Sequence, residues 1–212
     1  MSNNFPAEQG PLLKIVSKGL NIWVSSKCKV VGELKIELKG SFFQLIKGKV
    51  DGVTLNAKKL IFQKISFDSV DLVSRSLTFK LNLSNASEIV SLQNKFKIEG
   101  TVSIKGDDLN QLLLSSEWQW LSDSLAENLI GITPLSSCLI GGEKIELQTK
   151  VIGNDQLAKS RFIVSTENGH LKIQTENKQV QYTVPMDPSI YIEDAFIRGA
   201  RLYLKGFASV KP

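Results

Sequence analysis

Between Lys49 and Leu83 apolar and polar residues alternate over most of the run, and that periodicity constrains the fold more than any other feature. Successive side chains of an extended strand point to opposite faces. One face therefore collects Val53, Leu55 and Ala57, then Leu60 with Phe62, Ile65 with Phe67, and Val70 with Leu72. Leu77, Phe79, Leu81 and Leu83 close the run, while Lys, Ser, Asp and Asn occupy the other face. Turn residues such as Asp51 and Gly52 are few, which predicts long strands with bends. A sheet of such strands must twist and coil.

The flanking segments change period. Residues 7–24 place Leu12, Ile15, Val16, Leu20 and Trp23 at helical spacing, with Lys14 and Lys18 on another side. Val31, Leu34, Ile36 and Leu38 then read as a half-buried strand. After Gly40 the segment SFFQLIKG predicts a short helical turn capped by Ser41 that buries Phe42, Phe43, Leu45 and Ile46. Residues 97–105 form a strand, and an aspartate of the pair Asp107–Asp108 is expected to cap the helix that follows. That helix and a second one, up to Pro134, carry Leu109, Leu112, Leu113, Trp120, Leu121, Leu125 and Leu129. Strands return after Glu143, with a hairpin signal at Asn168–Gly169, and the tail reads as two strands joined at Arg198–Gly199. The expected class is α+β: one domain over 1–212, an antiparallel sheet interrupted by helices.

Length and composition narrow the function. With 212 residues, 42% hydrophobic and 22% charged, the chain can bury a core without disulfides or a structural metal. Cys28 and Cys138 are far apart and read as buried thiols in a reducing compartment. The polar start MSNNFPAEQG and the shortness of every apolar run predict no export signal and no transmembrane segment. The expected location is cytoplasmic, peripheral to a membrane at most. Charge is uneven: residues 1–105 hold 16 Lys and Arg against 8 Asp and Glu, and the remainder 10 against 13. The positive half suits an anionic membrane surface, with the N-terminal helix as contact; solvated lysines on strand faces are the plainer explanation.

Catalytic machinery is not legible. His170 is the single histidine, no cysteine–histidine cluster has metal-ligand spacing, and no nucleotide-binding glycine loop or nucleophile elbow occurs. The expectation is a non-enzyme without cofactor or metal. Basic residues interleaved with acidic ones, without an aromatic stacking pattern, argue against nucleic acid.

The dense apolar stretch from Leu112 to Leu129 has two readings. It is core, or it lines an elongated pocket between helices and sheet that takes a lipid chain. Trp118 and Trp120 lie about 200° apart on a regular helix, so one of them sits near the surface or in an irregular turn, suited to a pocket rim. The candidate lipid-binding set is Phe42, Phe43, Ile46, Leu112, Leu113, Trp118, Trp120, Leu121, Leu125 and Leu129. The competing function is an interaction module whose apolar groove receives a partner helix.

Three stretches carry a family likeness: GKVDGVTLNAKKLIFQKISFDSVDLVSRSL, IEGTVSIKGDDLNQLL with its Asp108–Leu109–Asn110 joint, and MDPSIYIEDAFIRGARLYLKGFASVKP. In that order, from about Val31 to Pro212, the chain resembles the LmeA-like phospholipid-binding family of bacteria. Exported relatives carry an apolar N-terminal segment; this chain more resembles the signal-less, cyanobacterial-type members. The resemblance implies a long curved antiparallel sheet wrapped over helices, similar in outline to tubular lipid-binding domains. It also implies phospholipid as the ligand, and it supplies no ligand-contacting residues.

Overall fold

The computed structural model describes residues 11–82, 90–151, 153 and 156–211; Leu83 and the first four residues of the expected 7–24 helix lie outside them. The first alternating segment forms β1 (Val30–Lys39), followed by the single-turn helix α2 (Phe42–Ile46) and the short β2 (Lys49–Val50). The long run resolves into β3 (Gly52–Phe62), β4 (Ile65–Ser74) and β5 (Leu77–Leu81). Its phase slips between Ala57 and Leu60, both buried, and Lys59 takes up that slip with φ 53°. Gln63 and Lys64, both at positive φ, make the tight turn from β3 to β4.

β6 (Val90–Leu92) and β7 (Phe96–Lys105) precede the helices α3 (Gly106–Leu113) and α4 (Gln119–Leu129). The second half supplies β8 (Leu135–Gly141), β9 (Lys144–Lys150), β10 (Leu157–Glu167), β11 (His170–Gln174) and β12 (Gln181–Thr183). β13 (Ile190–Arg198) and β14 (Arg201–Val210) complete the chain. Asn168–Gly169 turns β10 into β11, and Gly199–Ala200 turns β13 into β14, each pair at positive φ as a two-residue hairpin requires.

All pairings are antiparallel. Six strands run in the order β1-β3-β4-β7-β14-β13, five as β12-β11-β10-β9-β8, and three as β2-β5-β6. Strands hold 54% of the described residues and helices 21%, which makes the fold α+β.

Helix α1 (Pro11–Lys27) lies on β1 and β6 through Val16 and Leu20, both buried. Gly19 explains how closely. A Cβ there would stand 2.3 Å from Val90 Cγ2, so glycine, unfavourable for a helix by about 1 kcal/mol, lets the helix touch the strand.

Two local expectations need correction. The aspartates do not cap α3: its N-cap is Lys105, without a side-chain cap bond, and Asp107 and Asp108 already lie inside the first turn. The helix begins directly off β7, so these carboxylates act only through the helix dipole.

The second correction is α2. The capping box at Ser41 forms as expected, with Gln44 N donating to Ser41 Oγ at 3.3 Å and Ser41 N donating to Gln44 Oε1 at 2.8 Å. Only Leu45 is buried; Phe42, Phe43 and Ile46 are 60%, 75% and 61% exposed. At about 100° per residue these three share one arc of the helix, and a single turn that aims Leu45 inward turns that arc outward.

Asp68 on β4 ties the sheet together. Its carboxylate accepts from Arg201 Nε at 2.7 Å and lies 2.9 Å from Lys105 Nζ. Burial opposes its charge, but the hydrogen bonds from Arg201 and Lys105 together outweigh that and hold its pKa below the usual value. A carboxyl lowered by folding stabilises above its unfolded pKa, and that stability is lost as pH falls through the folded value. Asp68→Asn is therefore expected to cost about 1–3 kcal/mol at neutral pH, with the gap to the parent closing below about pH 4. Urea titrations at several pH values read this directly.

Candidate functional site

Two apolar regions differ in how they are filled. In one, α3 and α4 pack against β8, β9 and the inner residues Ile104, Ile197 and Leu202. Leu113, Leu121, Leu125 and Leu129 are buried there, with Leu112 and Trp118 packed against them. Asn110 Oδ1 accepts from the backbone N–H of Cys138 at 2.8 Å, pinning α3 to β8. Burial pushes the Cys138 thiol up to about 12, so it stays protonated in this core.

The other region is open. A cavity of about 430 Å³ lies between the C-terminal half of α1 and one face of the six-stranded sheet. That volume is in the range of small-molecule pockets. Leu20, Trp23 and Val24 form its roof; Val53, Leu55, Val70 and Leu72 are among the residues of its floor. Along β4 it reaches from Phe67 to Ser74, a span of about 23 Å at the strand rise. One leaflet of bilayer hydrocarbon is about 15 Å thick, so the groove is long enough for an acyl chain.

Polar groups are few and sit at the ends. Lys27 and Cys28 mark the end near Leu60, and burial raises the Cys28 thiol pKa. At the other end are Ser74 and Lys211, and the register fixes that placement: Ser74 pairs with Ile98, and Phe96 with Val210. The Ser74 hydroxyl is buried and has no hydrogen-bond partner among the described residues. Among the described residues, neither Lys27 nor Lys211 forms an ion pair with a carboxylate.

None of the ten residues singled out from the sequence lines this groove. Leu112, Leu113, Leu121, Leu125 and Leu129 are together in the α3–α4 core, and Phe42, Phe43 and Ile46 stand on the surface. Trp118 precedes α4 in the connecting turn and stacks on Trp120, which is 52% exposed, with ring centroids 6.1 Å apart. In the sequence the groove's floor carries only the alternation of an ordinary half-buried strand. The available signal was Ser74, a hydroxyl in the inward register of Val70 and Leu72.

Fold and groove define the class: a sheet-rich α+β protein with an elongated apolar cleft under a helix and charge only at its ends. A family model described as LmeA-like phospholipid-binding matches residues 7–200, nearly the whole chain, and the chain belongs to that family. No curated protein and no solved structure matches it. Among the described residues no helix is long and apolar enough to cross a membrane, and no three potential metal ligands lie together.

Proposed function

We propose that this protein holds a phospholipid without chemically altering it, the acyl chain in the groove beneath α1 and the polar end at Ser74 and Lys211. The observation that carries the reading is the buried, unpartnered Ser74 hydroxyl at the end of an otherwise apolar cleft. An unmade hydrogen bond in such a place costs about 1–3 kcal/mol, a cost relieved when an ester carbonyl accepts from Ser74 Oγ. Lys211, on the rim at the same end of the groove, supplies a cation for the phosphate. Membership of a family described as phospholipid-binding supports the same ligand class.

Under this reading α1 is the lid, and Lys14 and Lys18, exposed on its outer side, face an anionic membrane from which the lipid is exchanged. The leucines of α3 and α4 serve as the core that holds the sheet in shape.

The hydroxyl makes the test specific, because stability and binding move in opposite directions. Ser74→Ala removes an unpartnered polar group, so the lipid-free protein is expected to gain about 1 kcal/mol. The same change should lower retention of phosphatidylglycerol several-fold, measured by lipid extraction after incubation with vesicles and re-isolation. Unchanged retention in Ser74→Ala refutes the assigned polar end.

A further inference from the structure

We infer that α2 is a membrane-inserting tip: a bilayer containing anionic lipid receives Phe42, Phe43 and Ile46 while the lysines around them meet its headgroups. The three side chains form one outward apolar arc on a turn that needs none of them for its own packing, since Leu45 alone faces the core. Phe42 and Phe43 meet edge to face, with ring centroids 6.2 Å apart. Exposing two phenylalanines and an isoleucine together has no folding purpose and marks a contact surface.

Charge selects the occupant. Lys39 precedes the tip and Lys47 and Lys49 follow it, all exposed, and among the described residues none pairs with a carboxylate. The nearby acids are engaged: Asp51 accepts from Gln44 Nε2 at 2.7 Å, and Glu37 pairs with Lys35. An apolar tip ringed by cations matches the hydrocarbon edge and phosphate layer of an anionic bilayer.

Position adds a purpose. Lys39, the last residue of β1, pairs with Gly52, and the neighbouring Val53 pairs with Ser74. The tip therefore stands at the Ser74 end of the groove, where insertion brings the cleft's polar end to the membrane. In this use the inference rests on the lipid-holding reading; docking itself does not require it.

The experiment is vesicle flotation with phosphatidylcholine vesicles, with and without phosphatidylglycerol, at low and high salt. Alongside it runs lipid extraction from the same preparations. The parent protein is expected to float with the anionic vesicles, and F42S/F43S/I46S to bind about tenfold less or weaker still. Lys47→Glu with Lys49→Glu should lose the salt-sensitive part of binding. Because the substituted side chains are exposed, melting temperatures should not move, and a chain that melts normally yet fails to float supports the tip. Equal flotation of parent and triple variant overturns the proposal, as does a parent that binds no vesicle at all. Dimerisation that the triple variant abolishes, without vesicle binding, would make the tip a protein interface and also overturn it. Tip-dependent flotation with no extractable lipid would leave the docking site standing and remove the groove's proposed ligand.

Discussion

Gly100→Ala is expected to lower the melting temperature by about 10 °C or more, or to prevent accumulation of folded protein. A Cβ on Gly100 would stand 1.9 Å from Asp71 O and 2.9 Å from Leu72 Cα, and both are backbone atoms of the paired strand β4. No rotamer change relieves that, so β4 and β7 must separate at the centre of the six-stranded sheet. Across the ladder Gly100 pairs with Gly206, where a Cβ would stand 2.1 Å from Tyr191 O. Two facing glycines thus let four successive strands, β4, β7, β14 and β13, approach closely at one level. The cost should reach about 4 kcal/mol, at the upper end for a single substitution. Gly141→Ala is the control: nothing lies within 4 Å of its added methyl group, and a shift beyond about 0.5 kcal/mol is not expected. A Gly100→Ala protein melting with the parent would mean that this close approach is not what shapes the sheet.

The second large effect separates groove from core. Leu125 is 2% exposed among α3, α4, β8 and β9, so Leu125→Trp forces extra volume into filled space and should destabilise by about 1–3 kcal/mol or more. Leu72 lines the groove, where Leu72→Trp has room to lie along the cleft. Its stability should stay within about 1 kcal/mol of the parent, while its capacity for an acyl chain falls. Leu125→Trp should keep the lipid capacity of whatever fraction remains folded. The paired melts and lipid contents give opposite patterns for the two leucines. The reverse pattern would return the ligand to the α3–α4 region.

These two leucines also mark what the sequence can and cannot convey. Period 2 alone placed Leu72 on an inward strand face, and period 3.6 placed Leu125 on an inward helix face. The hairpin at Asn168–Gly169 was equally legible, because a two-residue turn needs positive φ and those residues tolerate it. The junction expected at Arg198–Gly199 falls one residue later, at Gly199–Ala200, where an alanine takes a positive φ that its type does not signal. Even the phase slip before Leu60 is written in the spacing from Ala57. The gap itself is not written locally. Whether an inward leucine meets another side chain or an empty cleft depends on how far a helix stands from the sheet, a property of long-range packing.

Gly19 shows how such a distance is set. Its missing side chain brings α1 onto Val90, while farther along the same helix Trp23 and Val24 roof the cavity. The α2 error has a different origin. Hydrophobic character predicts burial on average, but a five-residue helix has too few turns to bury Phe42, Phe43, Leu45 and Ile46 at once. The residues left over become informative as surface.

Native mass spectrometry of the freshly purified chain, followed by lipid extraction, tests the central claim most directly. The parent should carry a phospholipid-sized adduct that is released on unfolding, and Leu72→Trp, equally folded, should carry little or none. A parent that neither retains a phospholipid on purification nor acquires one from phosphatidylglycerol vesicles would contradict the account, as would a Leu72→Trp protein as fully loaded as the parent.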